Sequence, residues 1–453
     1  GLGAEDDFTG WTSSYTGDPI PLDQMREWRD LTVNRIRELG PRRVLEIGVG
    51  SGLILSKIAP LCEVYCGSDL SPVTVARLER WLGDVKEAWA ERVHLIAGGA
   101  DELSDYATGH FDTVVLNSVV QYFPSAHYLR RVVDRALRVL APGGALFIGD
   151  VRSLRYLREL ETGVELARGS DGDSGDVRRR VLRRLSNQRE LLVDPHLFSE
   201  IAHEFRGVVH DIQLKRGSSI NELTRYRYDV VLHKMPKPTV SVKKAAHVEY
   251  VDTDAIRSLL LGQGMECVRV LAIPHRGLLT EIRAVDELAK NMKDLATPRD
   301  REGSAADGLP EGLLPEDLHT AAAECGYSCA VTWSARRGYM EAVFVQTSAL
   351  NGRCIVDAYV PGTSSRSAKP TSNKPMAGVL AEAVREFAAA RLPDYMAPSV
   401  IVVLSEWPLT ASGKLDRAGL PAPSMVQNRY RAPTSEAERL LSGVFAEVLG
   451  ACL

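Results

Sequence analysis

Short apolar runs alternate with amphipathic stretches through the first 150 residues of the chain. The apolar runs have the length of strands and lie at 42–50, 63–71, 93–101, 111–123 and 143–151. The amphipathic stretches repeat apolar residues at helical spacing and lie at 21–39, 52–60, 72–90 and 127–140. Strands that alternate with helices form parallel βαβ units. The pattern therefore predicts an α/β fold with a Rossmann-like, doubly wound and mostly parallel sheet.

The pattern changes after residue 152. A strongly charged helical stretch, 153–205, precedes two more predicted strands at 207–217 and 227–234. Beyond them, helical and strand-like segments mix, and 361–375 has the composition of a linker. Four parts are therefore expected: a core, an α+β accessory region, a small α+β subdomain and a last helix. They cover 1–240, 241–360, 372–425 and 430–453.

Composition narrows the class of protein. Of the 453 residues, 45% are hydrophobic and 25% are charged, values typical of a soluble globular protein. The net charge of −4 argues against a general nucleic-acid binder. No apolar run approaches the ~20 residues needed to cross a bilayer, and no signal-like segment opens the chain. We expect a cytoplasmic protein without nucleic-acid or membrane partners.

The cysteines and the chain ends add two expectations. The seven cysteines are scattered, and neither Cys62 with Cys66 nor Cys325 with Cys329 has a matching His or Cys cluster. This is neither a zinc spacing nor a disulfide framework, so we predict reduced cysteines and no metal. The chain begins without methionine and stops as a helix ends. We expect it to be a segment of a longer protein.

Three glycines follow the first predicted strand. Gly48, Gly50 and Gly52 let the backbone approach a ligand closely. A dinucleotide site needs G-x-G-x-x-G, whereas this loop has G-x-G-x-G after Glu46. A carboxylate there would repel a pyrophosphate and suits a ligand with a cationic amino-acid part, such as S-adenosylmethionine. NAD binding and a core turn without a ligand are the alternatives.

Two further carboxylates lie at the ends of the next two predicted strands. Asp69 is placed to accept both ribose hydroxyls, and Asp101 is placed to accept an adenine amino group. Carboxylates at three successive strand ends are far more specific than the glycines alone, so we predict S-adenosylmethionine binding. The residues expected to contact this donor are Trp11, Tyr15, Glu46, Gly48, Val49, Gly50, Gly52, Asp69, Leu70, Ala100, Asp101, Asn117 and Ser118.

The methyl acceptor is expected on the same face of the sheet. In a doubly wound sheet, sites lie beyond the carboxyl ends of the strands. Methyl transfer is an in-line displacement in which the protein mainly supplies proximity and orientation. Three loops meet this condition. They contribute Asn117, Ser118, Gln121 and Tyr122, then Asp150 and Arg152, and then Asn221, Glu222, Arg225 and Tyr226.

An amine acceptor does not need a strong base, because an α-amino group titrates at about 7.7–8.0. A hydrogen-bond acceptor that orients the amine and takes its proton is enough. Glu222 is the first candidate and Asp150 the second, and Asn117 is expected to orient the amine or the donor. Arg152 and Tyr122 complete the predicted catalytic set. A structural ion pair between Asp150 and Arg152 is the alternative.

Two segments outside these loops also have two interpretations each. Trp11 and Tyr15, in 11–17, form either a lid over the donor or a staple that fixes the N-terminus to the sheet; we expect the lid. The stretch 168–184 changes from acidic to basic. It is either a solvated helix face or a docking patch for an acidic partner domain.

Residues 1–240 resemble the methyltransferase domains embedded in nonribosomal peptide synthetases. The matching stretches are DFTGWTSSYTGDPIPLDQMREW, VLEIGVGSGLIL, VVLNSVVQYFP, GGALFIGDVR and NELTRYRYDVVLHK. From about residue 372 the chain resembles the C-terminal subdomain of the same synthetases' adenylation domains, through LPDYMAPSV and PLTASGKLDR. Residues 435–449 resemble the opening helix of a carrier domain, whose phosphopantetheine-bearing serine motif is absent.

This resemblance implies a class I S-adenosylmethionine-dependent methyltransferase inside an interrupted adenylation domain. In that family, Lys414 would swing over the acyl-adenylate, where its charge stabilises phosphate and carboxylate oxygens. The large ATP-binding subdomain is missing, so this chain is not expected to adenylate anything alone. The implied partners are that subdomain and an aminoacyl-phosphopantetheinyl carrier domain. The sequence leaves open whether a small MbtH-like helper protein takes part.

The resemblance also implies a reaction. The insertion lies just before LPDYMAP, late in the adenylation domain, and in this family that location goes with backbone amine methylation. We therefore expect N-methylation of the α-amine of a carrier-bound aminoacyl thioester during synthesis of a peptide natural product. O-, S- or C-methylation of a side chain and a non-catalytic docking domain are the alternatives.

Overall fold

The computed structural model describes residues 6–103, 106–169, 174–262, 264–290, 312–361 and 370–375, with isolated positions between 384 and 441. The chain divides into two compact units, Gly1–Met376 and Ala377–Leu453. Lys414 and most of the predicted parts 372–425 and 430–453 lie outside the described residues. The first unit carries all the strands given below.

A seven-stranded sheet forms the centre of this unit. Its strands are β1 (Arg43–Ile47), β2 (Val64–Asp69), β3 (Val93–Ala97), β4 (Phe111–Asn117), β5 (Leu140–Arg152), β6 (Val208–Leu214) and β7 (Arg227–Lys234). Their order is β3-β2-β1-β4-β5-β7-β6. Strands β1 to β5 pair in parallel, whereas β7 runs antiparallel to both β5 and β6. The predicted doubly wound, mostly parallel sheet is confirmed.

Helices cover the sheet. They are α1 (Leu22–Arg37), α2 (Leu55–Ile58), α3 (Pro72–Asp84), α4 (Ala126–Val139), α5 (Leu157–Ala167), α6 (Ser174–Ser186), α7 (Pro195–Glu204) and α8 (Glu222–Tyr226). Ser71 and Ser125 begin α3 and α4, where their hydroxyls accept hydrogen bonds from the backbone N–H groups of Thr74 and Tyr128. Such caps satisfy N–H groups that the first turn of a helix leaves unpaired.

Three predicted elements are shorter than expected. The helix predicted at 52–60 is the four-residue α2 followed by a 3-10 turn at Ala59–Leu61, because Pro60 has no N–H for the helical ladder. Strand β4 ends at Asn117, because Ser118 has a left-handed backbone with φ of 58°. Strand β3 ends at Ala97, so Asp101 lies in the following loop rather than at the strand end.

The accessory region has its own sheet. It contains β8 (Thr239–Ser241), β9 (Ala246–Glu249), α9 (Thr253–Gly262), β10 (Cys267–Pro274), α10 (Leu279–Lys290), α11 (Pro315–Glu324), β11 (Tyr327–Trp333), β12 (Tyr339–Gln346), α12 (Thr347–Leu350) and β13 (Cys354–Val356). Four strands form a sheet in the order β11-β12-β10-β9, and β8 pairs with β13.

The accessory region packs directly on the core. One hydrophobic cluster runs from β4 and β5 to β11 and β12. At the boundary the ring centroids of Tyr156 and Trp333 lie 4.7 Å apart, and the Tyr156 hydroxyl accepts a hydrogen bond from Gly338 N at 3.1 Å. Arg155 donates to the Ser334 carbonyl at 2.8 Å. The two regions therefore share one core. Among the described residues, no helix is both long and apolar enough to cross a membrane.

Candidate active site

The loop after β1 needs its glycines. Gly48, Gly50 and Gly52 all have positive φ angles, of 79°, 54° and 88°. A Cβ atom at Gly48 would lie 2.4 Å from Cγ2 of Val119, so no other residue fits there without displacement. The N–H groups of Gly48 and Val49 both donate to the Ser68 carbonyl, at 2.7 and 2.9 Å. The loop is a closely packed cradle at the carboxyl end of the sheet.

Asp69 connects this loop to the start of helix α3 by hydrogen bonds. One carboxylate oxygen accepts from Gly50 N at 3.0 Å, and the other accepts from Ser71 N at 2.9 Å. An ionised carboxylate has about four acceptor positions, so each oxygen of Asp69 can still accept a hydroxyl of a ligand. Leu70 follows with 80% of its surface exposed. The predicted contacts of Asp69 and Leu70 with the donor stay predictions.

Glu46 lies beneath the cradle and is buried. It accepts a hydrogen bond from the Tyr65 hydroxyl. Burial raises the pKa of Glu46 to about 8, which the Tyr65 hydrogen bond counteracts and the Asp69 charge reinforces. A carboxyl group in this state gains a negative charge most easily when a cation lies beside it. The predicted contact of Glu46 with the cationic part of the donor stays a prediction.

Asp101 is held by α4. It accepts from the Tyr128 hydroxyl at 2.8 Å and forms ion pairs with Arg131 and Arg135 at 3.3 and 3.7 Å. Desolvation by burial raises the pKa of Asp101, but the Tyr128 hydrogen bond and the two guanidinium groups bring it below its ordinary value. The sequence did not indicate these partners. Ala100, next to it, is half-buried, and the adenine contact of both residues stays a prediction.

The ends of β4 and β5 meet through two residues with left-handed backbones. Ser118 and Asp150 have φ angles of 58° and 63°. The Ser118 hydroxyl donates to Asp150 at 2.8 Å, and the Asn117 side-chain NH₂ donates to the Ser118 hydroxyl at 3.3 Å. Oδ1 of Asn117 is buried and has no hydrogen-bond partner among the described residues. Strained backbone and an unused buried acceptor are both typical of binding sites.

Asp150 is fully buried and has several donors. Besides Ser118, it accepts from the Trp28 indole N–H at 3.1 Å and forms an ion pair with Arg227. Burial raises its pKa, but Arg227 and Lys215 together with these hydrogen bonds bring it below its ordinary value. Asp150 is therefore a stable carboxylate and a weak proton acceptor. Its ion-pair partner is Arg227, whereas Arg152 pairs with Glu190 instead.

Glu222 is the first residue of α8, and its helix is capped by Asn221. Its two carboxylate oxygens accept from the backbone N–H and the hydroxyl of Ser14, at 2.7 and 3.0 Å. The N-terminal segment thereby reaches the connection between β6 and β7. A cleft of about 170 Å³ opens there, and it is lined by Ser13, Tyr15, Ile20, Pro21, Gln24, Ile220, Asn221, Glu222 and Arg225.

Aromatic contacts fix the rest of the N-terminal segment. The ring of Trp11 packs on that of Trp28 at a centroid distance of 4.7 Å, and Arg227 lies 5.7 Å from the Trp11 ring. The hydroxyls of Tyr15 and Tyr226 are 3.0 Å apart. These contacts are those expected of a staple, and they also place the segment over α1 and α8. Whether it acts as a lid stays a prediction.

The structure separates the predicted catalytic residues. Hydrogen bonds join Asn117, Ser118 and Asp150 directly. Glu222 is connected to them only indirectly, because its charge acts on Arg227, the ion-pair partner of Asp150. Tyr122 is 73% exposed, whereas its neighbour Gln121 is buried and donates to the Ser118 carbonyl at 2.8 Å.

Sequence reasoning did not single out Trp28 or Arg227, the two residues that hold Asp150 from α1 and β7. The acidic and basic stretch around α6 forms ion pairs within the same unit, from Arg180 to Glu165 and from Arg184 to Glu161. These pairs favour the helix-face interpretation for the part that the structure describes.

The chain matches one protein family over part of its length and individual known proteins over almost all of it. Residues 45–148 match a family model described as a methyltransferase domain. A probable non-canonical nonribosomal peptide synthetase, CymA of Salinispora arenicola, is 36% identical over 99% of this chain and 5% of its own length. The chondramide synthase cmdD of Chondromyces crocatus is 34% identical over 98% of this chain and 12% of its own length. The chain thus spans only a small share of these relatives.

A solved structure is also similar to about half of this chain. The N-methyltransferase NodS of Bradyrhizobium japonicum, in complex with S-adenosyl-L-homocysteine, is 18% identical, with a TM-score of 0.33. The match covers 49% of this chain and 95% of NodS.

Proposed function

Because this chain is similar over 99% of its length to a probable nonribosomal peptide synthetase and its residues 45–148 match a methyltransferase domain, we propose that it N-methylates the α-amine of an aminoacyl thioester on a carrier domain. S-adenosylmethionine is the methyl donor. The residues present fit this donor in two respects. The loop after β1 lies at the carboxyl end of the sheet in a left-handed backbone conformation that favours its glycines, and the buried Asn117 Oδ1 has no hydrogen-bond partner among the described residues.

The observation that carries the proposal is the position of Glu222. Its carboxylate lines a cleft on the carboxyl side of the sheet and is held by two donors of Ser14. Each of its oxygens keeps a free acceptor position. A neutral amine that enters the cleft can donate one N–H to Glu222, which directs the nitrogen lone pair away from the carboxylate. This is the kind of orientation that in-line displacement requires.

The bound donor supplies an electrophilic methyl group on a sulfonium. When the amine nitrogen bonds to the methyl carbon, the carbon–sulfur bond breaks and sulfur keeps its electron pair. The new ammonium then releases a proton, and Glu222 is the group that accepts it or passes it to water.

Asp150 has a different role in this proposal. Its ion pair with Arg227 and its low pKa make it unsuited to accept a proton at neutral pH. It instead holds the Ser118 hydroxyl, which in turn holds the side chain of Asn117. We assign Asp150 to the positioning of these two residues, whose contact with the donor is a prediction from the sequence.

The test is a reaction with a set of loaded carriers. The chain is incubated with S-adenosylmethionine and a carrier domain loaded with an amino acid whose amine is free, or with the same amino acid N-acetylated. Fragment mass spectrometry then locates the added methyl group. We expect methylation on the nitrogen of the free amine and none on the acetylated carrier. Methylation of a side-chain atom, or of both carriers alike, would refute N-methylation.

A further inference from the structure

The accessory region contributes a carboxylate next to the cleft. Glu281 lies in the first turn of α10, outside the seven-stranded core, and only 8% of its surface is exposed. It forms an ion pair with Arg225, which lines the cleft together with Glu222. The Tyr15 hydroxyl, from the N-terminal segment, donates to the same oxygen of Glu281 at 3.4 Å. Three distant parts of the chain therefore meet at this carboxylate.

Stacking makes this meeting point rigid. The Arg225 guanidinium lies 4.9 Å from the centroid of the Tyr15 ring and 5.1 Å from that of Tyr226. The hydroxyls of these two tyrosines are 3.0 Å apart. A cation between aromatic rings is fixed by both electrostatic attraction and packing. Tyr15 and Arg225, two of the side chains that line the cleft, are therefore held through Glu281.

A glycine of the core leaves room for this arrangement. Gly163 lies on the buried face of α5. A Cβ atom at this position would be 2.8 Å from Cγ of Glu281 and 2.9 Å from the Tyr15 hydroxyl. Glycine in the middle of a helix costs roughly 0.5–1 kcal/mol relative to alanine. The close approach of Glu281 and Tyr15 needs this missing side chain.

One oxygen of Glu281 has no partner. Oε1 accepts from Arg225 and Tyr15, whereas Oε2 is buried and has no hydrogen-bond partner within the described part of the chain. A buried carboxylate oxygen without a donor destabilises the structure. A carboxylate that only joined the two regions would be expected to use both of its oxygens.

We propose that Glu281 is a positioning residue for methyl transfer, which acts through Tyr15 and Arg225, two residues that line the cleft together with Glu222. The accessory region then supplies part of the acceptor site. This inference rests on the proposed function, because it assumes that the acceptor amine enters this cleft. The role that it gives to Glu281 concerns the acceptor. Tyr15, which the sequence also suggested as a donor contact, is assigned to the acceptor side by this inference, so unchanged donor affinity in Glu281→Gln is part of its test.

The test uses the full chain with a carrier loaded with a free amino acid. We expect Glu281→Gln to lower the single-turnover methylation rate on the order of 10- to 100-fold. The affinity for S-adenosylmethionine, measured by calorimetry, stays unchanged. Gly163→Ala, which displaces Tyr15 and Glu281 together, should reproduce the loss. If Glu281 acts through Tyr15, the double variant with Tyr15→Phe should lose no more than the more impaired single variant.

A matched control lies in the same region. Glu341 forms a comparably buried ion pair with Arg269 at 2.9 Å, within the accessory sheet. Glu341→Gln should lower thermal stability about as much as Glu281→Gln but keep the wild-type rate. A wild-type rate in Glu281→Gln, or equal losses of rate in both variants, would overturn the inference while the proposed function stands. If the wild-type chain itself leaves the amine unmethylated, the proposed function fails first.

Discussion

Asp150 and Arg227 form a buried ion pair across the antiparallel strands β5 and β7. The Asp150 side chain is fully buried, and 13% of the Arg227 side chain is exposed. The pair lies between Trp28, which donates to Asp150, and Trp11, whose ring faces Arg227. It therefore joins the end of β5, helix α1 and the N-terminal segment at one point.

Because Asp150 belongs to a buried ion pair, its substitution should lower the stability of the fold. Removal of one partner of a buried ion pair costs roughly 3–5 kcal/mol, because the other charge stays buried without compensation. Asp150→Asn should therefore lower the free energy of unfolding by about this amount in urea denaturation. The exposed pair of Arg42 and Glu63 provides the control, and Arg42→Ala should change it by less than about 1 kcal/mol. If Asp150→Asn keeps full stability, the buried ion pair does not stabilise the fold in the way proposed here.

Donor binding should depend on Asp69. Its removal takes away the predicted acceptor of the ribose hydroxyls and the support of Gly50 N, and hydrogen bonds to charged groups contribute roughly 1.5–3 kcal/mol. We expect Asp69→Ala to weaken S-adenosylmethionine binding at least tenfold in calorimetry. Asp112 is a matched control, since its carboxylate accepts from two backbone N–H groups, of Arg42 and Arg43, at the amino end of the sheet. Equal affinity in the Asp69 and Asp112 variants would refute the ribose contact.

Glu46 should make donor binding depend on pH. Its pKa of about 8 in the folded chain exceeds the ordinary value of 4.5, so the folded state keeps a proton that the unfolded state releases between these values. This group therefore contributes stability below pH 4.5 that is lost as the pH rises through 8. A cationic donor favours the ionised form, so its affinity should rise as the pH approaches 8 and then level off.

Glu46→Gln separates this effect from the titration of the donor itself. The α-amino group of the donor titrates at about 7.7–8.0, and its effect remains in the variant. We expect the rise in affinity to disappear in Glu46→Gln, together with the proton release that calorimetry detects in buffers of different ionisation enthalpy. Identical pH profiles for the variant and the wild-type chain would show that Glu46 stays neutral when the donor binds.

Glu222 should matter for the rate and not for donor affinity. General-base catalysis contributes about 10²-fold or more, so Glu222→Gln should lower the single-turnover rate about 100-fold. Glu27 is a closely matched control, because it accepts from the backbone N–H and the hydroxyl of Ser218 just as Glu222 does from Ser14. Glu27→Gln should keep the wild-type rate. A wild-type rate in Glu222→Gln would leave the reaction without an assigned base.

Lys414, which lies outside the described residues, should serve adenylation alone. Adenylation precedes carrier loading, whereas methylation acts on the loaded carrier, so Lys414 has no chemical task in methyl transfer. In a complete synthetase, Lys414→Ala should abolish acyl-adenylate formation and leave methylation of a chemically pre-loaded carrier at its normal rate. Mass spectrometry of the carrier-bound product measures both. A collapse of methylation on the pre-loaded carrier would show that the two sites are mechanically coupled.

The sequence by itself determined the central sheet and the glycine cradle. Both depend on local signals, which are the alternation of apolar runs with amphipathic helices and the glycines and acids at strand ends. Glu46 lies two residues before the first of these glycines along the chain. Asp69 lies at the end of the neighbouring parallel strand. Their place at the carboxyl edge follows from the βαβ pattern, and the structure has them there.

Only the tertiary structure decided which side chains meet. Asp150 lies 77 residues before Arg227, Ser14 lies 208 residues before Glu222, and Tyr15 lies 266 residues before Glu281. The sequence offered Arg152 as the partner of Asp150, but β5 and β7 are antiparallel and pair Arg152 with Arg227 in register, next to the bulge that follows Ile148. Periodicity shows which face of an element is apolar. It does not show which polar group of a distant element will lie against it, because that depends on how the whole chain packs.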